Sequence, residues 1–261
     1  MSQQGLTTLR QFNPAPITTL LCDADDNLFP SERPAFAASV EVINRFLARL
    51  GVPAPFTAEE LRKKAVGKNF RSTALDLAAS ADQTLDADEL EQWVRQEREQ
   101  VTAHLAATLV PDPQVLEPLR DLASQYALTA VSSSALMRLN ACFTATGLDP
   151  LMPVEVRFSA EDSLPVPASK PDPAVYLHAG QVLGIDAEQG LAIEDSVAGV
   201  TSAVAAGYLT VGNLMFVPAD ERRCRSEELI DAGAVAIADS WRALADVLLL
   251  STVTGGGAPV R

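Results

Sequence analysis

Over the C-terminal two thirds of this chain, short β-rich runs alternate with helical patterns, and that alternation restricts the fold more than any other feature. Tyr126 to Ser133, Val154 to Ser159, Leu191 to Asp195, Tyr208 to Gly212 and Ala234 to Asp239 each read as buried strands bounded by polar or glycine-containing turns. Between them apolar residues recur at helical spacing: Leu116, Leu119 and Ala123; Val175, Ala179 and Val182; Val197, Val200 and Val204. Strands joined through helices pair in parallel and have helices on both faces. With Ile17 to Cys22 as the first strand, the pattern predicts a sheet of about six strands.

The segment 31–111 breaks the rhythm, with helical patterns and no convincing strand. Thr57-Ala58-Glu59-Glu60 is a capping-box signature opening one helix, and Asp86 caps another. The expected organisation is a flexible N-terminus over 1–16, an α/β Rossmann-like core from 17–30 and 112–250, a helical insertion over 31–111 and a flexible tail over 251–261. At 261 residues and 48% apolar content the chain can bury a full core. Its net charge of −14 argues against a nucleic-acid surface or an anionic membrane as partner. No apolar stretch approaches the roughly 20 residues that span a bilayer, and residues 1–16 lack the apolar core of a signal peptide, so a cytoplasmic protein is expected. Three distant cysteines suggest reduced buried thiols rather than a disulfide framework or a zinc site. The two histidines, His104 and His178, have no metal-ligand or triad spacing.

Polar residues gather where the predicted strands end, which is where ligands bind in open parallel sheets. Asp23-Ala24-Asp25-Asp26-Asn27 follows the first strand, and such crowded carboxylates call for a hard divalent cation among them. One carboxylate can then attack phosphorus, while another two residues on serves as acid and base. Ser132-Ser133-Ser134 follows Leu128 to Val131, Lys170-Pro171-Asp172-Pro173 precedes a helix, and Glu194-Asp195 ends another strand. Taken singly, each has an ordinary explanation: a solvated turn, a helix cap or a loop lysine. Together they supply a nucleophile, an acid/base, a hydroxyl donor, a cation and further metal-binding carboxylates.

In this order the four segments resemble the motifs of the haloacid dehalogenase superfamily of phosphohydrolases, over roughly Thr18 to Leu248. Lys170-Pro171-Asp172-Pro173-Ala174-Val175-Tyr176 and Ile193-Glu194-Asp195-Ser196-Val197-Ala198-Gly199-Val200 are specific matches. The branch it most resembles contains phosphatases and phosphoglucomutase-like enzymes with a helical cap. The resemblance implies hydrolysis of a small phosphorylated metabolite through an aspartyl-phosphate. Asp23 would be the nucleophile, Asp25 the acid and base, Ser132 a donor to the phosphoryl group and Lys170 its counter-charge. Mg2+ would be held by the Asp23 carboxylate, the Asp25 backbone carbonyl and Asp195, with Glu194 acting through water. Two departures stand out. Asp26-Asn27 replaces the usual Gly-Thr, with Asn27 expected to bond locally in a tight turn, and Leu164 to Ser169 is longer than the usual approach to the lysine.

The same resemblance assigns substrate choice to the helical insertion, where Lys68 and Arg71 are the candidate contacts, together with Ser133 of the core. The branch's sugar phosphomutases carry a histidine soon after the first motif. The corresponding Arg33-Pro34-Ala35-Phe36-Ala37 has none, which favours hydrolysis over a phosphomutase. A true haloacid dehalogenase has no need of Asp25. A receiver domain lacks the large insertion, and a non-catalytic regulatory relative has no need of the full set of motifs. Monomer and homodimer are both compatible with the sequence.

Overall fold

The computed structural model describes residues 2–3, 5–8, 13–52, 55–65 and 69–254. The chain divides into two compact units, one made of Met1–Phe29 with Val110–Arg261 and the other of Pro30–Leu109.

The first unit is built on an eight-stranded sheet. Its strands are β1 (Ser2–Gln3), β2 (Leu6–Thr8), β3 (Thr19–Cys22), β4 (Ala127–Ser132), β5 (Arg157–Ser159), β6 (Gly190–Glu194), β7 (Leu209–Asn213) and β8 (Ala236–Ala238), in the spatial order β1-β2-β8-β7-β6-β3-β4-β5. The six from β3 to β8 run parallel, as the alternation requires. From β3 the chain first builds outward through β4 and β5, then returns to build β6, β7 and β8 on the other side. The carboxyl end of β3 is therefore a topological switch point, where a crevice opens beyond the strand ends. Leu20, Leu21, Cys22, Ala130, Val131, Leu191, Ala192 and Ile193 are all buried, which explains why these strands carry consecutive apolar residues rather than strict alternation.

Both ends of this unit depart from the sequence-based expectation. Residues 1–16 are expected to be flexible, yet β1 and β2 form antiparallel strands that continue the sheet beyond β8. The signal is small because a strand of three residues with Leu6 as its buried anchor leaves no apolar run to detect. At the other end the final helix, Trp241–Thr254, runs four residues into the expected tail. Trp241, Leu244 and Leu248 are buried along its earlier turns.

The second unit contains α1 (Glu32–Arg49), α2 (Ala58–Lys64), α3 (Phe70–Ser80) and α4 (Ala87–Thr108). Thr57 and Glu60 form the reciprocal capping box, and the Asp86 carboxylate accepts from the backbone N–H groups of Asp88 and Glu89. Asn69 caps α3 through Ser72 N–H. Ile43, Phe46, Leu47, Leu61, Ala74, Leu77 and Leu90 make its core, and Trp93 stands edge-on to Phe46 at 5.5 Å.

Candidate active site

The ladder between β3 and β6 extends one residue past β3, because Asp23 N–H donates to Ile193 O at 2.9 Å. Asp23 thus leaves the sheet at a fixed point beside Glu194 and Asp195. All three are buried, and one carboxylate oxygen from each lies within 4.8 Å of the others. Lys170 Nζ reaches into this group, 2.5 Å from Asp23 Oδ1, 2.7 Å from Glu194 Oε1 and 2.8 Å from Val131 O. Its three N–H donors have three acceptors. The hydroxyl of Tyr176, on the helix that follows Lys170, donates to the same Glu194 oxygen.

The chain turns sharply after Asp23. Asp26 holds φ at +52°, in the left-handed region that glycine occupies easily and that Asp and Asn tolerate best among other residues. This accounts for Asp26 where the resembled pattern has glycine. Asp25 turns towards β4 and the helix beyond it. Ser134 Oγ donates to its Oδ2 at 2.7 Å, Arg138 Nη2 to its Oδ1 at 3.0 Å, and Ser132 Oγ lies 3.5 Å from Oδ2.

The serine cluster does not cap the helix that follows it, Leu136–Thr146. Asp162, from the loop after β5, accepts from Leu136 N–H at 2.6 Å instead. Ser132 and Ser134 are thereby left to face Asp25. Ser133, expected at the substrate, accepts from the backbone N–H of Lys170 at 3.1 Å and so ties the lysine's loop to β4. The long approach to Lys170 folds back on itself, with Ala168 N–H donating to Ala160 O, while Leu164 packs on the core. In the helical unit Arg71 pairs with Glu91, at 2.5 Å from Nη1 and 2.9 Å from Nη2. Lys68 lies outside the described residues.

Burial pushes the Asp23 carboxyl up to about 8; Lys170 pulls it back, and Glu194 and Asp25 push it further up. Asp195 is raised for the same first reason, with Asp23 and Glu194 adding to it. Burial alone would lower Lys170, but Asp23 and Glu194 outweigh it and hold the ammonium charged. When all three are ionised, three carboxylates face one ammonium and are short of positive charge. Glu194 Oε2 is also buried without a hydrogen-bond partner among the described residues. An all-oxygen donor set with surplus negative charge and an orphaned carboxylate oxygen fits a hard divalent cation such as Mg2+.

Sequence reasoning selected Asp23, Asp25, Ser132, Lys170, Glu194 and Asp195, and the structure brings all six together at the ends of β3, β4 and β6. It missed Ser134 and Arg138 on Asp25, and Arg225, which donates to Asp195 O at 3.0 Å. Tyr176 lay inside a recognised motif without a role. Its distance in sequence from Glu194, 18 residues, carries no signal of contact.

The family described as haloacid dehalogenase-like hydrolase matches residues 13–207, about three quarters of the chain. The protein belongs to this family and is a haloacid dehalogenase-like hydrolase. Solved structures agree with the fold across several phosphatase and phosphomutase branches. A HAD family hydrolase from Deinococcus radiodurans R1, with bound phosphate and sodium, is 25% identical, covers 92% of this chain and 98% of its own, and superposes with a TM-score of 0.63. A predicted phosphoglycolate phosphatase from Haemophilus somnus 129PT is 22% identical over 89% of this chain and 98% of that one, with a TM-score of 0.69. CbbY from Rhodobacter sphaeroides, in complex with phosphate, is 20% identical over 87% and 96%, with a TM-score of 0.67. A CBBY-like protein of Arabidopsis thaliana is 41% identical over 56 residues, which are 22% of this chain and 18% of that relative.

Proposed function

We propose that this protein hydrolyses a small phosphate monoester through an aspartyl-phosphate formed on Asp23, with Mg2+ bound. The observation that carries the reading is the buried Asp23 carboxylate, held by Lys170 at 2.5 Å and flanked by Glu194 and Asp195. Asp23 attacks phosphorus, forming one P–O bond as the ester P–O bond breaks. Asp25 gives its proton to the departing oxygen. It then takes a proton from the water that attacks the aspartyl-phosphate, releasing phosphate and restoring Asp23. Ser132 donates to a phosphoryl oxygen, and Lys170 offsets the charge of Asp23 and the phosphoryl group.

Asp23, Asp195 and the Asp25 backbone carbonyl would hold the ion, with Glu194 acting through water. Bound Mg2+ supplies the positive charge that lets a phosphate dianion approach a carboxylate. Hydrolysis is favoured over phosphoryl shuttling because Arg33 to Ala37 contains no histidine. Substrate selection belongs, by resemblance, to the helical unit through Arg71 and Lys68. A cytoplasmic site of action is part of the reading; no helix among the described residues is long and apolar enough to cross a membrane.

The test is phosphate release from a panel of sugar phosphates, nucleotides and phosphoglycolate, with and without Mg2+. Asp23→Asn keeps the shape and removes the anionic nucleophile, so turnover should fall to background. Hydrolysis by that variant at near wild-type rate would refute the mechanism.

A further inference from the structure

Asn27 was a departure from the resembled motif, and the structure gives it more than a local turn bond. Its side chain is fully buried at the ends of three strands. One amide N–H donates to Asp23 O at 2.8 Å, the other to Ile193 O at 3.1 Å, and its Oδ1 accepts from Asn213 Nδ2 at 2.8 Å. Asn213, itself buried, is the last residue of β7, and its Oδ1 accepts from Met215 N–H at 3.1 Å. The backbone carbonyl of Asn27 accepts from Trp241 Nε1 at 2.8 Å. The amide orientation is set by its partners, since a flipped Asn27 would aim its oxygen at two carbonyls.

We infer that Asn27 and Asn213 form a buried amide clamp that sets the spacing between the nucleophile Asp23 and the metal-binding pair Glu194 and Asp195. Backbone pairing between β3 and β6 reaches its last rung at Asp23 N–H and Ile193 O, and the residues just beyond that rung do the chemistry. The Asn27 amide supplies the next crosslink in place of the backbone. It bridges the carbonyl of the nucleophile to the carbonyl preceding Glu194, and Asn213 fastens that bridge to β7. A threonine hydroxyl has one hydrogen to donate and can serve one of the two carbonyls. Neither asparagine contacts the reacting atoms in this reading, so both are positioning residues, acting through Asp23 and Asp195. The functional part of this inference rests on the phosphatase reading; its structural part concerns metal affinity alone.

The experiment compares Asn27→Ala, Asn27→Thr and Asn213→Ala with the wild type. Mg2+ affinity is measured by calorimetry and hydrolysis of p-nitrophenyl phosphate by steady-state kinetics, at a temperature where circular dichroism shows each variant folded. Loss of an outer residue that orients metal ligands weakens binding by about 10-fold or more, so Asn27→Ala should raise the Mg2+ Kd by that factor. It should lower kcat at saturating Mg2+ while KM stays within about 2-fold, because substrate contacts are untouched. Asn27→Thr should recover part of both losses. Asn213→Ala removes one bond of the clamp and should shift both in the same direction, and it decides the matter if Asn27→Ala does not fold. Folded variants with wild-type Mg2+ Kd and kcat would overturn the clamp. If wild-type protein binds Mg2+ but hydrolyses no ester, the phosphatase reading falls and the Kd series still tests the clamp; wild-type protein that binds no Mg2+ overturns both.

Discussion

Replacing Gly199 with alanine probes the acidic site by steric means alone. Gly199 is buried in the helix Val197–Ala205, where alanine is ordinarily favoured over glycine by about 1 kcal/mol. Here an added Cβ would lie 1.8 Å from Glu194 Oε2, 2.2 Å from its Cδ and 2.6 Å from Oε1. Real Cβ atoms keep at least 3.0 Å from such neighbours, so the carboxylate must retreat by more than an ångström. Glu194 cannot yield freely, being fully buried with Oε1 held by Lys170 at 2.7 Å and by the Tyr176 hydroxyl. Overpacking costs about 1–3 kcal/mol, and losing a buried hydrogen bond to a charged group costs about 1.5–3 kcal/mol. Set against the helix gain, Gly199→Ala should destabilise by about 1.5–5 kcal/mol. For a unit of this size the melting temperature should fall by at least ~3 °C. Calorimetric melts and phosphate-release kinetics on the same preparation read both effects. In a Glu194→Ala background the clashing atoms are gone, so Gly199→Ala should become neutral or stabilising. A higher melting temperature with full activity for Gly199→Ala alone would refute the placement of Glu194.

The raised Asp23 pKa gives a second test. Between the ordinary carboxylate value near 4 and about 8, the folded metal-free protein holds a proton that the unfolded chain releases, so stability should decline as pH rises through that window. Thermal melts without Mg2+ should show this slope in wild type and less of it in Asp23→Asn, and Mg2+ should raise the melting temperature more at pH 8 than at pH 5; equal slopes would refute it. Arg71→Ala should lower kcat/KM for a sugar phosphate more than for p-nitrophenyl phosphate. An unchanged ratio between the two esters would remove Arg71 from substrate selection.

The parts of this protein that could be read from sequence are those in which one physical cause dominates. Strands β3, β4 and β6 carry consecutive buried apolar residues, Leu20 to Cys22, Ala130 to Val131 and Leu191 to Ile193, because both faces are covered, and those runs are visible in the letters. The caps at Thr57 and Asp86 depend on three or four consecutive residues and were equally legible. Asp23, Lys170 and Glu194 were found because their residue types and order carry the chemistry. What escaped depends on packing over long separations. Arg138 meets Asp25 across 113 residues, and Asp162 caps a helix 26 residues before it in the chain, replacing the serines that looked suited to the task. Leu6 anchors a three-residue strand too short to form a pattern. Asn27 was noticed as an oddity, but its partner Asn213 lies 186 residues away and nothing local points to it.

The position of β3 also orders the birth of the molecule. Cys22 pairs with Ala130 on one side and Ile193 on the other, each more than a hundred residues downstream. Trp241 closes on Asn27 only after a further span, 214 residues from it. The helical unit between them is contiguous in sequence, and each of its helices forms through local contacts, which form fast. During synthesis, therefore, the helices can condense while the strand that will carry the nucleophile still has no neighbours. Until β4 and β6 emerge, Thr19–Cys22 is an apolar segment with open backbone on both sides, the kind of surface by which nascent chains associate wrongly. The central strand of the finished enzyme is thus covered on both edges only once β6 has emerged.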